Sequence, residues 1–281
     1  MIARGRNVLE TARITTGEPR QTLEELATTV RHMQSRHGQA EALGIASFGP
    51  LGLRPGTPEF GCLLDTPKPG WSGIDIRGAL ARQFERPIAI DTDVNGAALA
   101  EGLWGASFRC SVHIYLTIGT GIGGGLVVEG RPVHGLLHPE LGHIRVRRDP
   151  DDNFPGTCPF HGDCIEGLAS GPAIAARAGV SADRLAPDDP LWARVGRELG
   201  ELVATLLLIA APERIVIGGG VGQGCSFLLP LIRSAAAASL AGYGPARDPK
   251  LLETVIVPPA LGSEAGPLGA LVLAQLASGR M

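Results

Sequence analysis

Aromatic residues make up only 4% of this 281-residue chain. Its core cannot rest on stacked rings, so the 44% hydrophobic content must pack through Ala, Leu, Ile and Val. No basic run occurs and the formal net charge is -3, so nothing points to nucleic acid as a partner. No apolar stretch can span a bilayer: the longest charge-free helix candidate, Leu202 to Pro212, is shorter than the ~20 residues a span needs. The first residues, MIARGRNVLETARITTG, lack the apolar segment of a secretory signal. The five cysteines, Cys62, Cys110, Cys158, Cys164 and Cys225, are odd in number and mostly scattered, which is no disulfide framework. A cytoplasmic protein in a reducing compartment, with no membrane partner, is the expectation. A Walker A loop, which needs a Lys after its last glycine, is also missing.

Glycine, by contrast, is plentiful, with 40 residues, and implies tight turns and close backbone approaches. The length suggests two lobes, with a change of composition that places the boundary at 1–105 and 106–281. Along the chain, strands are expected at 7–16, 43–48, 87–90, 112–118, 126–129, 214–217 and 254–257. Helices are expected at 21–36, 75–84, 96–105, 168–178, 191–211, 227–240 and 266–276, the first of them with a capping box formed by Thr22 and Glu25. Strands that alternate with helices and end in Gly-rich or acidic loops indicate an α/β protein with ligand loops at strand ends.

Between His138 and Glu166 the chain reads HPELGHIRVRRDPDDNFPGTCPFHGDCIE. Cys158, His161 and Cys164 follow a C-x-x-H-x-x-C spacing, and His143 stands upstream. Two thiolates and two imidazoles suit a closed tetrahedral zinc site, and Pro159 and Gly162 favour the turns that would aim them at one centre. If a metal fixes this segment, it also aims Glu140, His143 and Glu166 at a polyol. Glu166 could instead simply open the next helix, where an acidic residue favours the dipole.

Two glycine runs follow strands. In Gly119–Gly125 the Thr120 hydroxyl and glycine N–H groups can reach phosphate oxygens, and Gly218–Gly220 precedes a helix. Both could equally be hairpin or bulge glycines. Asp93, after the strand at 87–90, is a candidate general base for transfer to an alcohol. Asp91 competes with it, and both could be helix N-caps.

Gly119-Thr120-Gly121-Ile122-Gly123-Gly124-Gly125, then Glu140-Leu141-Gly142-His143, then Cys158 to Glu166, resemble in this order the ROK sugar kinases. Ser47-Phe48-Gly49-Pro50, Thr92-Asp93-Val94-Asn95 and the CPFHGDC segment look closest to the bacterial fructokinases. The resemblance implies a two-lobed, actin-like (ribonuclease H-like) ATPase fold with the active site between the lobes. It implies ATP-dependent phosphorylation of a hexose, D-fructose to fructose 6-phosphate, with Asp93 as catalytic base. Asn95, Glu140, His143 and Glu166 would bind the sugar. Gly119, Thr120, Gly121, Pro172, Gly218, Gly219 and Gly220 would border the nucleotide, with Mg2+ accompanying ATP. His143, Cys158, His161 and Cys164 would hold a structural Zn2+, and a homodimer is usual in the family. Family members also open on a strand and a D/E-x-G-G-T-K loop, a motif absent from these 281 residues. An N-terminal lobe missing its first strands is therefore expected. The alternative that follows is a sugar-binding protein with impaired turnover, since phosphoryl transfer rests on positioning and charge stabilisation.

Overall fold

Strand β1 (Ile2–Arg4) turns at Gly5 into β2 (Asn7–Glu10), and the two form an antiparallel hairpin. The expected strand at 7–16 thus stops at Glu10. Helix α1 (Pro19–His37) starts two residues before its expected position, because Pro19 fixes φ in the first turn and the Glu18 carboxylate accepts from the N–H groups of Arg20 and Gln21. Glu18 therefore does the capping that was expected of Thr22. Strand β3 (Leu43–Ser47), helix α2 (Ile76–Ala81, capped by Asp75) and strand β4 (Ile88–Thr92) follow. β3 and β4 pair in parallel, from Leu43 opposite Ile88 to Ser47 opposite Thr92. Ile88 and Ile90 of β4 are buried in one cluster with Leu51, Leu63, Trp71, Ile76 and Leu80. β4 runs two residues past its expected end, so Asp91 is a strand residue and not a helix cap.

The computed structural model describes residues 1–279, which group into two units. The first takes Met1–Ala97, His134–His138 and the segment from Gly266 onward; the second takes Ala98–Val133 and Pro139–Ala265. Helix α3 (Asp93–Trp104) leaves β4 directly.

The second unit is built on a five-stranded sheet of order β7-β6-β5-β8-β9, with β5 at Val112–Ile118, β6 at Ile122–Val128 and β7 at Arg131–Pro132. β6 begins four residues before the expected strand, so Gly123, Gly124 and Gly125 pair with Thr117, Leu116 and Tyr115. The next turn is Glu129–Gly130. Both residues have positive φ, 50° and 72°, as a two-residue hairpin loop requires. Helices α4 (Ile165–Ala169) and α5 (Gly171–Ala178) replace one expected helix. Ser170, extended at φ -70° and ψ 163°, breaks it and caps α5 through the Ala173 N–H. The long α6 (Pro190–Ala210) lies against the sheet and packs on α8. β8 (Arg214–Gly218), α7 (Gly219–Gly224), α8 (Leu228–Leu240), α9 (Pro249–Val255) and β9 (Ile256–Val257) complete the unit. Thr254 and Val255 thus close a helix, and the strand begins at Ile256.

The last helix, α10 (Ala265–Ala277), falls within the first unit and not with the residues that precede it. Glycines allow that approach: a Cβ at Gly44 would strike the backbone of Ala270 and Ala274, and one at Gly269 would strike the backbone of Gly96. Among the described residues no helix is long and apolar enough to cross a membrane.

His113 of β5 is buried, with Nε2 3.0 Å from the Ala98 carbonyl, and its ring fills the space where a Cβ on Gly102 would come within 2.7 Å. Burial pushes its pKa below the ordinary imidazole value. Below about pH 6.5 the unfolded chain takes up a proton here that the folded chain refuses, so stability falls with acidification. Urea denaturation at pH 7.5 and 5.5 should show this loss, and His113→Asn should reduce the difference between the two pH values.

Candidate active site and metal centre

At the end of β4, Asp91 and Asp93 have different environments. Asp91 is buried. Its Oδ1 accepts from the Thr92 N–H at 2.8 Å and from Asn95 Nδ2 at 2.7 Å, and its Oδ2 lies 3.1 Å from His134 Nε2. Asp93, the first residue of α3, is exposed, and its Oδ1 accepts only from the next residue's N–H at 2.8 Å. The Thr92 hydroxyl accepts the Asn95 N–H at 3.1 Å, so neither aspartate is needed as the cap. Although solvent reaches Asp93, surrounding protein disfavours its charged form and pushes the carboxyl above the usual range. A carboxylate that is accessible, lightly hydrogen-bonded and shifted upward suits proton acceptance, whereas Asp91 is already committed.

In the second unit the two glycine runs lie side by side. β5 and β8 are parallel neighbours, with Thr117 opposite Gly218, so Gly119–Gly121 and Gly218–Gly220 leave the same end of the sheet. The Gly119 carbonyl accepts the Gly171 N–H at 2.7 Å, which brings the start of α5, with Pro172, to that end as well. Thr120, Pro172 and Gly220 are exposed. The first run is a hairpin turn only at 119–121. Gly219 and Gly220 begin the short helix α7, which the sequence pattern missed. A hydroxyl and glycine backbone thus gather at the carboxyl ends of the parallel strands β5 and β8, where N–H and O–H donors can meet an anion.

The Glu166 carboxylate, in the first turn of α4, accepts the Ile122 N–H at 3.0 Å through Oε2, and a Cβ on Gly121 would approach it to 2.6 Å. Glu166 thus braces the glycine turn with one oxygen and keeps Oε1 for another partner. Glu140, partly buried, precedes the 3-10 turn Leu141–His143.

His143, Cys158, His161 and Cys164 converge, with one ligand atom from each lying within 4.8 Å of the others. His143 Nδ1 is 3.7 Å from Cys158 Sγ and 3.5 Å from Cys164 Sγ, and His161 Nδ1 is 3.7 Å from Cys158 Sγ. Tetrahedral zinc, with Zn–S about 2.3 Å and Zn–N about 2.05 Å, sets sulfur and nitrogen about 3.6 Å apart, so the donor set fits. Nδ1 of His143 faces the sulfurs, so a metal bound there would leave the proton on Nε2, free to donate to a ligand. Burial pushes the Cys164 thiol up to about 11, so a metal that takes the thiolate must displace its proton.

The sequence reading missed the ion network behind this centre. Arg177 makes paired 2.8 Å contacts to Glu198, a 2.5 Å contact to Asp152 and a 3.0 Å bond to the Leu168 carbonyl. Arg148 reaches Asp163 at 3.1 Å and the Asp152 and Phe154 carbonyls. Together they tie the loop between His143 and Cys158 to α4, α5 and α6. The one available signal was Glu198 on an otherwise apolar face of a long helix, which implies a buried partner.

A family profile described as ROK family matches residues 1–277. The fructokinase of Zymomonas mobilis is 40% identical over 284 residues, covering 100% of this chain and 93% of that protein. The fructokinase of Pediococcus pentosaceus is 40% identical over 259 residues, covering 92% and 88%. Among solved structures, the ROK hexokinase of Thermus thermophilus aligns with a TM-score of 0.75 at 30% identity, over 92% of this chain and 87% of its own. The chain belongs to the ROK family. Its fold is the actin-like α/β ATPase fold of the family's sugar kinases. The alternative of a sugar-binding protein without turnover draws no support from these relatives, which are named as kinases.

Two outcomes are expected. Metal analysis of the purified protein should find about one zinc per chain, and Cys164→Ser should lose it together with thermal stability. Arg177→Met should cost about 3 kcal/mol in urea unfolding, because Glu198 and Asp152 are left buried without their cation. The double change Arg177→Met, Glu198→Leu should recover part of that loss.

Proposed function

We propose that this carbohydrate kinase transfers the γ-phosphoryl group of ATP to the 6-hydroxyl of D-fructose, giving fructose 6-phosphate and ADP. The observation that carries the mechanism is Asp93, an accessible carboxylate with a raised pKa on the rigid first turn of a helix, beside an Asp91 that is already occupied. Asp93 accepts the hydroxyl proton as that oxygen attacks the γ-phosphorus and ADP departs. The choice of fructose is supported by full-length relatives named fructokinase.

Asn95, Glu140, Glu166 through Oε1 and His143 through Nε2–H bind the sugar hydroxyls. The Gly121 N–H and the Thr120 hydroxyl hold phosphate oxygens, while Gly119, Gly218, Gly219, Gly220 and Pro172 border the nucleotide. Mg2+ bound with ATP supplies charge neutralisation on the transferring group. Zn2+ at His143, Cys158, His161 and Cys164 is structural and sets the orientation of the His143 ring. The five cysteines are unpaired, which suits the cytoplasm we assign to the protein. A homodimer is the assembly that the family resemblance supports.

ADP release coupled to a dehydrogenase, measured with fructose, glucose and mannose, tests this reading, and fructose should give the highest kcat/KM. Asp93→Asn should lower kcat by roughly 10²- to 10⁴-fold. An unchanged rate in that variant, or turnover of no hexose at all, would overturn the assignment. The acid limb of the kcat profile should lie above the ordinary aspartate range, as the raised Asp93 pKa requires.

A further inference from the structure

We propose that His134 is a positioning residue of the acceptor site, acting through Asp91 on the Asn95 amide and the first turn of α3. The proposal rests on the kinase reading above. Residues 134–138 interrupt the second unit's chain and belong to the first. The segment is fastened there at both ends. His138 is buried, and its Nε2 accepts the Leu51 N–H at 3.1 Å. His134 Nε2 lies 3.1 Å from Asp91 Oδ2 and 3.3 Å from Oδ1, and at 3.4 Å it also borders Asn95 Nδ2.

Asp91 is a buried carboxylate whose Oδ1 is filled by two N–H donors. Its other oxygen faces His134 Nε2. A buried carboxylate only accepts hydrogen bonds, so the contact at 2.7 Å must come from the Asn95 amide nitrogen. That contact fixes which way the amide faces and turns its carbonyl oxygen away from Asp91. Asn95 is itself buried, so it has little freedom beyond what Asp91 allows. Removing His134 leaves Oδ2 under-satisfied, and Asp91 can then turn toward solvent and release the amide. Two residues before Asn95 on the same first turn stands Asp93. His134 never needs to touch the sugar in this arrangement; it keeps the amide and the helix start in one orientation. Its own side chain is 35% exposed, so truncation removes a partner of Asp91 without opening the core.

Titration calorimetry with fructose and, separately, with ADP tests the idea on the zinc-loaded protein. His134→Leu and the shorter His134→Asn should each weaken fructose binding about tenfold, the loss of one charge-assisted bond. ADP affinity and melting temperature should stay close to wild type. His134→Gln, which keeps an N–H donor at similar reach, should restore fructose binding to within about threefold. Unchanged fructose affinity in both His134→Leu and His134→Asn overturns the proposal. So does a parallel loss of fructose affinity, ADP affinity and melting temperature without rescue by glutamine, since that is a purely structural role. If the wild-type protein binds fructose and Asp93→Asn abolishes turnover, such a result fails the proposal alone. If wild type binds no hexose, the kinase reading falls first.

Discussion

The parallel pairing of β5 with β8 is the constraint on which the second unit's functional arrangement depends. It sets Thr117 opposite Gly218, so two glycine turns far apart in sequence emerge together. A slip of one residue would move Gly218 off Thr117 and shift one glycine turn along the sheet edge relative to the other. Ile215, Val216 and Ile217 are all buried and oppose Ile114, Tyr115 and Leu116, which makes that register costly to change. The loops at the strand ends inherit this stiffness, as a site for phosphoryl transfer requires, because positioning is most of its catalysis.

The metal segment answers a different problem. It is a long excursion with few buried apolar residues, so hydrophobic packing alone cannot order it. Two devices hold it, the tetrad of two thiols and two imidazoles and the buried Arg177 network. Both are anchored to elements that touch the glycine turn: Cys164 opens α4, which carries Glu166, and Arg177 lies on α5, whose first N–H donates to Gly119. The tetrad and the ion pairs therefore bear on the same elements that carry the glycine turn. The ion network gains little by itself from being buried, yet losing one member is expensive, since the remaining charges stay desolvated.

Much of this was legible before any coordinates. The C-x-x-H-x-x-C spacing with an upstream histidine picked out the four donor side chains that converge, because residues close in sequence need only local turns to meet. β5, β8, α6 and α10 were readable from apolar runs bounded by glycine or proline. Local pattern failed where one residue overrode it. Pro19 and Glu18 moved the start of α1, Ser170 split a helix whose periodicity ran through it, and strand pairing drew Gly123, Gly124 and Gly125 into β6. A β-ladder supplies hydrogen bonds that glycine's weak strand preference does not reveal.

By itself, then, the sequence determined the α/β class, the convergence of two cysteines and two histidines, and the aspartate pair at the end of β4, since these depend on neighbours along the chain. Only the tertiary structure decided which aspartate is free. Asp91 and Asp93 are two residues apart and chemically alike; the difference is that His134, from a distant segment, sits against Asp91 alone. It also placed α10 in the first unit and Arg177 against Glu198, because packing and charge pairing join residues by distance in space, which no local pattern records.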